Sequence, residues 1–178
     1  MAQVLPRIHP STEEPVMSTL VVFESFWGNT ATVARAVAEG IAGPVEVVGV
    51  ADAPTPLPHD VDLLVVGGPT HAFGMTRATT RRDAVKQGGE AGHEETGIRE
   101  WLAALAPVSG LDVATFDTRA AAVRRLPGSA ARGAARSVSH SHLGRVVDTE
   151  SFYVDDTDGP LLDGEVERAR AWGRTLRS

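Results

Sequence analysis

Cysteine is absent from the 178-residue chain. Its absence excludes a disulfide scaffold, thiolate metal sites and a cysteine nucleophile, and it accords with a reducing, cytoplasmic setting. No apolar run approaches the roughly 20 residues that a membrane span needs. Basic residues are outnumbered, 17 Lys and Arg against 23 Asp and Glu. A net charge of -6 argues against nucleic acid as a partner, since phosphate contacts need a basic face, and it permits docking to a basic protein. Lysine is nearly missing, with Lys86 alone, and the only tyrosine is Tyr153. What remains is ordinary for a globular chain: 42% hydrophobic and 22% charged residues, with a mean hydropathy of -0.08. A domain of this length buries roughly 70% of the surface its unfolded chain exposes and stands without cross-links.

Residues 1–17 carry Pro6, Pro10 and Pro15 among polar neighbours without periodicity. They read as a disordered tail ahead of one domain over 18–178. Leu20-Val21-Val22-Phe23 is a short continuous apolar run, the pattern of a strand buried on both faces. Further strands are expected over 45–50, 61–66, 113–116 and 151–154. Helices are expected over about 30–42, where Val33, Val37 and Ile41 share a face, and over 80–87, 98–105 and 129–139. A last helix begins near Asp163, read as its N-cap. Strand and helix alternate five times, which predicts an α/β fold: a doubly wound, five-stranded parallel sheet with helices on both faces. Ligands bind such sheets beyond the carboxyl ends of the strands, where strand order reverses. The loops after strands one, three and four are therefore the candidates.

The first of these, Ser25-Phe26-Trp27-Gly28-Asn29-Thr30, lies between a buried strand and a helix, where backbone amides and the helix dipole attract an anion. Ser25 and Thr30 add hydroxyls, Asn29 adds an amide, and Gly28 lets the backbone approach closely. No lysine or arginine falls in the loop, so a phosphate here is held by neutral donors. Neither the dinucleotide pattern G-x-G-x-x-G nor the nucleotide-hydrolase pattern G-x-x-x-x-G-K-[ST] is present, which disfavours NAD and ATP.

Here the chain resembles the flavodoxin family, whose phosphate loop runs Ser/Thr-x-Ser/Thr-Gly-x-Ser/Thr after strand one and cradles the phosphate of FMN. Ser25, Gly28 and Thr30 match. Trp27 replaces the middle hydroxyl residue, as a bulky aromatic also does in flavodoxin-like domains of the flavodiiron type. The resemblance extends to Gly67-Gly68-Pro69-Thr70-His71-Ala72-Phe73-Gly74, which stands where the family's second flavin loop stands. It implies Pro69 and Thr70 as contacts, His71 or Phe73 as a cover for the ring, and Gly74 as a pivot for a peptide near the flavin. Phe116-Asp117-Thr118-Arg119 falls at the third loop. There the resemblance implies contacts from Asp117, from Thr118 and from Arg119, whose charge favours the reduced ring. The tyrosine that many members stack on the flavin is missing. Together these features imply a flavodoxin-like domain that binds FMN and passes electrons to a redox partner protein. Two alternatives stand beside this: an FMN-dependent reductase or dehydrogenase acting on a small organic substrate, and a regulatory module that kept the fold and lost the cofactor.

The stretch 76–96 is polar and long, and reads by default as a solvated charged loop; its position also lets it fold over the cofactor. Other constellations carry less. Asp156-Thr157-Asp158-Gly159 with Glu165 partly fits a calcium loop but reads as an acidic surface turn. His140-Ser141-His142 stands beside a helix end, and His93-Glu94 lacks the second histidine of a zinc protease, Gly97 standing there.

Overall fold

The computed structural model describes residues 17–92 and 94–177. The tail expected over 1–17 lies, apart from Met17, outside the described residues, as does His93. In chain order the elements are β1 (Ser18–Phe23), α1 (Asn29–Gly40), β2 (Val45–Gly49), β3 (Val61–Pro69), α2 (Ala78–Lys86) and α3 (Ile98–Ala104), followed by β4 (Asp112–Ala120), α4 (Ala130–Ser141), β5 (Arg145–Asp156), β6 (Gly159–Leu161) and α5 (Glu165–Thr175). The sheet runs β2-β1-β3-β4-β5-β6, parallel throughout except for the antiparallel β5–β6 pair. The order reverses between β1 and β3, so the loops leaving these two strands diverge and open a crevice at their carboxyl ends.

Alternation along each strand divides the core into two layers. Leu20, Val22, Leu64 and Val66 face α3 and α4, where Trp101, Leu102, Ala134 and Val138 cover them. Val21, Leu63, Val65 and Phe116 face the opposite way, against Val33 and Val37 of α1 and Ala169 and Trp172 of α5. This explains the apolar runs Leu20–Phe23 in β1 and Leu63–Val66 in β3. Gly67 pairs with Phe116 across β3 and β4. A Cβ at Gly67 would stand 1.9 Å from the Phe116 ring, so glycine leaves the ring its place over the strand. On the far side α1 and α5 meet backbone to backbone. A Cβ on Gly173 would lie 2.1 Å from the Val37 carbonyl oxygen, and one on Gly40 equally close to that of Arg170.

Three expectations need correction. The sheet has six strands, because Gly159–Leu161 folds back on the end of β5 as an edge strand. β4 and β5 run well past the expected 113–116 and 151–154. β4 continues through Asp117–Ala120 because these pair with Ser151–Val154, and β5 starts early because Arg145–Glu150 pair along Asp112–Phe116. Finally, Gly164 rather than Asp163 caps α5. Its left-handed φ of 85° turns the chain into the helix without a side-chain bond, while the Glu165 carboxylate reaches back to accept from the Tyr153 N–H at 2.7 Å.

Candidate functional site

The turn from β1 to α1 is built around Gly28, which takes φ 83° with open space where a Cβ would be. The Gly28 N–H donates to Ser25 Oγ at 3.1 Å, which closes the turn on itself. Asn29 Nδ2 donates to the carbonyl of Asp158 at 3.0 Å, fastening the turn to the β5–β6 hairpin. Thr30 Oγ1 and Thr118 Oγ1, both buried, lie 2.7 Å apart. One proton serves that bond, so the other hydroxyl keeps a hydrogen to donate. Among the described residues, the backbone N–H groups of Phe26, Trp27, Asn29, Thr30 and Ala31 meet no protein acceptor. Five uncommitted donors at the positive end of a helix dipole make an anion cradle without a cationic side chain.

The second loop leaves β3 as a tight hairpin. His71 and Gly74 exchange both backbone bonds, at 3.0 and 3.1 Å, and the two residues between them, Ala72 and Phe73, both take positive φ, 46° and 63°. Such a turn favours asparagine and glycine, and an aromatic held there is strained. The strain leaves Phe73 projecting into solvent, 54% exposed. Gly74, expected as the pivot, is not the left-handed residue; its N–H and C=O are both taken by His71. His71 packs on Phe26 and Trp27, with ring centroids 5.8 and 6.2 Å away. Burial first, and the Arg81 charge second, hold its imidazole below the ordinary range. The Thr70 hydroxyl is fully engaged within the protein, donating to Asp117 Oδ2 at 3.0 Å and accepting from the Ala130 N–H at 2.8 Å.

At the third loop, Asp117 is fully buried. Its Oδ2 accepts from Thr70 and from the Ala131 N–H (2.9 Å) at the start of α4, where a negative charge is favoured, while Oδ1 has no partner. Arg119 is also buried and shapes the loop, donating through Nη2 to the carbonyls of Val123 (2.6 Å) and Leu126 (3.2 Å). Its Nε has no partner.

Behind the first turn lies a buried polar brace that the sequence did not announce. Glu24 directly follows β1 and is 2% exposed. It accepts from Thr76 Oγ1 at 2.5 Å and from the Ile98 N–H at 2.9 Å. Burial pushes its carboxyl above the usual range, against the pull of these donors and of Arg81. Arg81, wholly buried, donates to Thr76 Oγ1 at 3.0 Å and to the carbonyls of Glu94 (2.9 Å) and Glu95 (3.2 Å), and it pairs with Glu100 at 3.1 Å. Gly97 completes the brace, since a Cβ there would stand 2.6 Å from both Arg81 Nη1 and Glu24 Oε2. Stretch 76–96 is therefore not a solvated loop. It carries α2, and the Glu90 N–H reaches the Phe26 carbonyl at 2.7 Å, gripping the first turn from outside.

The three loops enclose a cleft of about 240 Å³. Eleven of the fourteen expected residues line it. Ser25, Phe26, Trp27, Asn29 and Thr30 come from the first loop. Pro69, Thr70, His71 and Phe73 come from the second, with Thr118 and Arg119 from the third. Gly28, Gly74 and Asp117 do not line it; the first two shape turns and the third is interior. Among the described residues, none of 76–96 lines the cleft, so that segment supports the site instead of covering it. Sequence reasoning missed Ala72 and Val123, and also Val154 and Thr157 of the β5–β6 hairpin. The only available signal was the acidic turn at Asp156–Gly159, which gave no hint of its neighbour. Tyr153 does not reach the cleft; its ring lies 5.7 Å from the Arg168 guanidinium.

No protein-family model and no curated protein matches the chain. Solved structures do. A flavodoxin from Streptococcus pneumonia TIGR4 superposes with a TM-score of 0.58 at 14% identity, covering 89% of this chain and 97% of its own. An archaeal flavodoxin gives 0.57 at 16% identity, covering 90% and 96%. Oxidised flavodoxin 1 from Bacillus cereus gives 0.54 at 16% identity, covering 88% and 94%. Strand order, parallel sheet and two-sided helical cover agree with this likeness: the chain has the flavodoxin-like fold.

Proposed function

We propose that the protein binds one FMN non-covalently in this cleft and serves as an electron-transfer protein working with a redox partner protein. The observation that carries the reading is the set of uncommitted N–H donors of Phe26, Trp27, Asn29, Thr30 and Ala31, beside a cleft walled by Trp27, His71 and Phe73. The donor set fits the cofactor. A phosphate monoester suits neutral amides at a helix start, and a flat tricyclic ring suits aromatic walls. The unpartnered Nε of buried Arg119 is a donor suited to a polar ring edge. The cleft is smaller than the roughly 300–1,000 Å³ of sites that engulf a whole ligand, so part of the ring stays open to solvent and to a partner.

When bound, the flavin supplies the electron chemistry. The chain's residues do the rest. The first turn fixes the phosphate, and Thr30 and Thr118 share one proton and offer another. His71, neutral and packed on Phe26 and Trp27, presents an apolar face. Arg119 keeps the third loop in shape. Titration of FMN-free protein with FMN, followed by quenching of flavin fluorescence, tests the reading. One saturable site with weaker binding of riboflavin is expected. No saturable complex at millimolar FMN would refute it.

A further inference from the structure

Sharing the His71–Phe73 turn with the cleft is a wider groove of about 1170 Å³ between the start of α2, α3 and α4. Arg77, Arg99, Arg136 and His140 line it, and no carboxylate does. Among the described residues none of these arginines meets an acid. Arg99 donates only to the carbonyls of Met75 (2.9 Å) and Thr76 (3.1 Å), and Arg77 and Arg136 enter no ion pair. Acids on the flanking helices are committed elsewhere: Asp83 to Lys86 and Glu100 to Arg81. α4 carries no acid. Three guanidinium groups left without counter-charge, in a chain of net charge -6, form a positive concavity whose remaining wall includes the exposed Phe73 and the buried Met75.

We propose that this groove binds a small organic polyanion: a flat apolar body carrying two or more carboxylate or phosphate groups. Arginine forks take such groups in paired bonds, and the ring of Phe73 takes the body. The volume, just above that of ordinary small-ligand sites, and the concave form favour a small molecule over a protein surface. The groove's nearness to a flavin rests on the proposed function; the binding itself does not.

Calorimetry of the FMN-free protein tests this with naphthalene-2,6-dicarboxylate, naphthalene-2,6-diyl bisphosphate, the uncharged naphthalene-2,6-dimethanol and a polyglutamate peptide. At least one of the two dianions binds one-to-one, more weakly as salt rises, and the tighter of the two identifies the acid group. The R77Q/R136Q variant, whose substitutions lie at exposed positions, loses about tenfold in dianion affinity while its FMN titration is unchanged. Equal binding of the dimethanol, equal binding by the variant, or binding of polyglutamate alone would overturn the proposal. Dianion binding without FMN binding would remove the proposed function and keep the groove. FMN binding without dianion binding would remove only the groove.

Discussion

Thr30→Val separates the phosphate from the rest of a flavin. Thr30 is 2% exposed, and its hydroxyl lies 2.7 Å from that of Thr118. Valine keeps the shape, the β-branch and the backbone N–H, and deletes one oxygen. Without ligand the change leaves the Thr118 hydroxyl short of a partner, which costs about 1 kcal/mol of stability. With FMN it removes a hydrogen bond to a charged group, worth about 1.5–3 kcal/mol. The FMN dissociation constant therefore rises about 10- to 150-fold. Riboflavin, which has no phosphate, binds the variant as it binds the parent. The assay is a pair of fluorescence-quenching titrations on flavin-free protein, with each ligand on each protein. An FMN constant unchanged within about twofold, or a parallel loss for riboflavin, would refute the placing of the phosphate at this turn.

Arg81→Met keeps much of the volume but none of the four polar contacts; because Glu100 is partly open to water, the loss is about 3 kcal/mol rather than the larger figure for a wholly buried pair. Guanidinium melts should register it, and amide exchange should quicken over 76–97 before the sheet opens; equal protection there would contradict the bracing role. By NMR the His71 imidazole should titrate below the ordinary histidine value of about 6.5. Because the unfolded chain takes up that proton at higher pH than the folded one, the residue's contribution is present above pH 6.5 and lost as pH falls through the folded value. His71→Phe should flatten that part of the stability profile, and a midpoint at or above 6.5 would show that the ring is not buried as described.

Legibility of the sequence followed locality. β1 and β3 were readable because both faces are covered, leaving apolar runs at 20–23 and 63–66. The end of β4 and the start of β5 were not, since Asp117–Ala120 and Arg145–Glu150 are strand only through their neighbours in the adjoining strand. The three-residue β6, with Pro160 inside it, has no pattern of its own. Within the site, the loops contiguous with strand ends could be read, down to the spacing of Ser25, Gly28 and Thr30. Val154 and Thr157 could not, because they reach the cleft through a hairpin whose position the Asn29–Asp158 contact reveals. Arg81 misled most. One arginine among Arg77, Arg81 and Arg82 of a polar stretch reads as a surface charge, and the burial of Arg81 is created by carbonyls 13 and 14 residues onward.

The glycine-to-backbone crossing of α1 and α5 bears on biosynthesis. The helix that starts at the anion cradle finds its outer partner only in residues such as Arg170, 131 positions after Glu39. At about 5–20 residues per second, the ribosome takes roughly 7 to 26 s between extruding the two. Throughout that interval the outer side of α1, around Val37 and Gly40, stands without its α5 neighbour. The crossing of α1 and α5 is therefore among the last contacts of the fold to form.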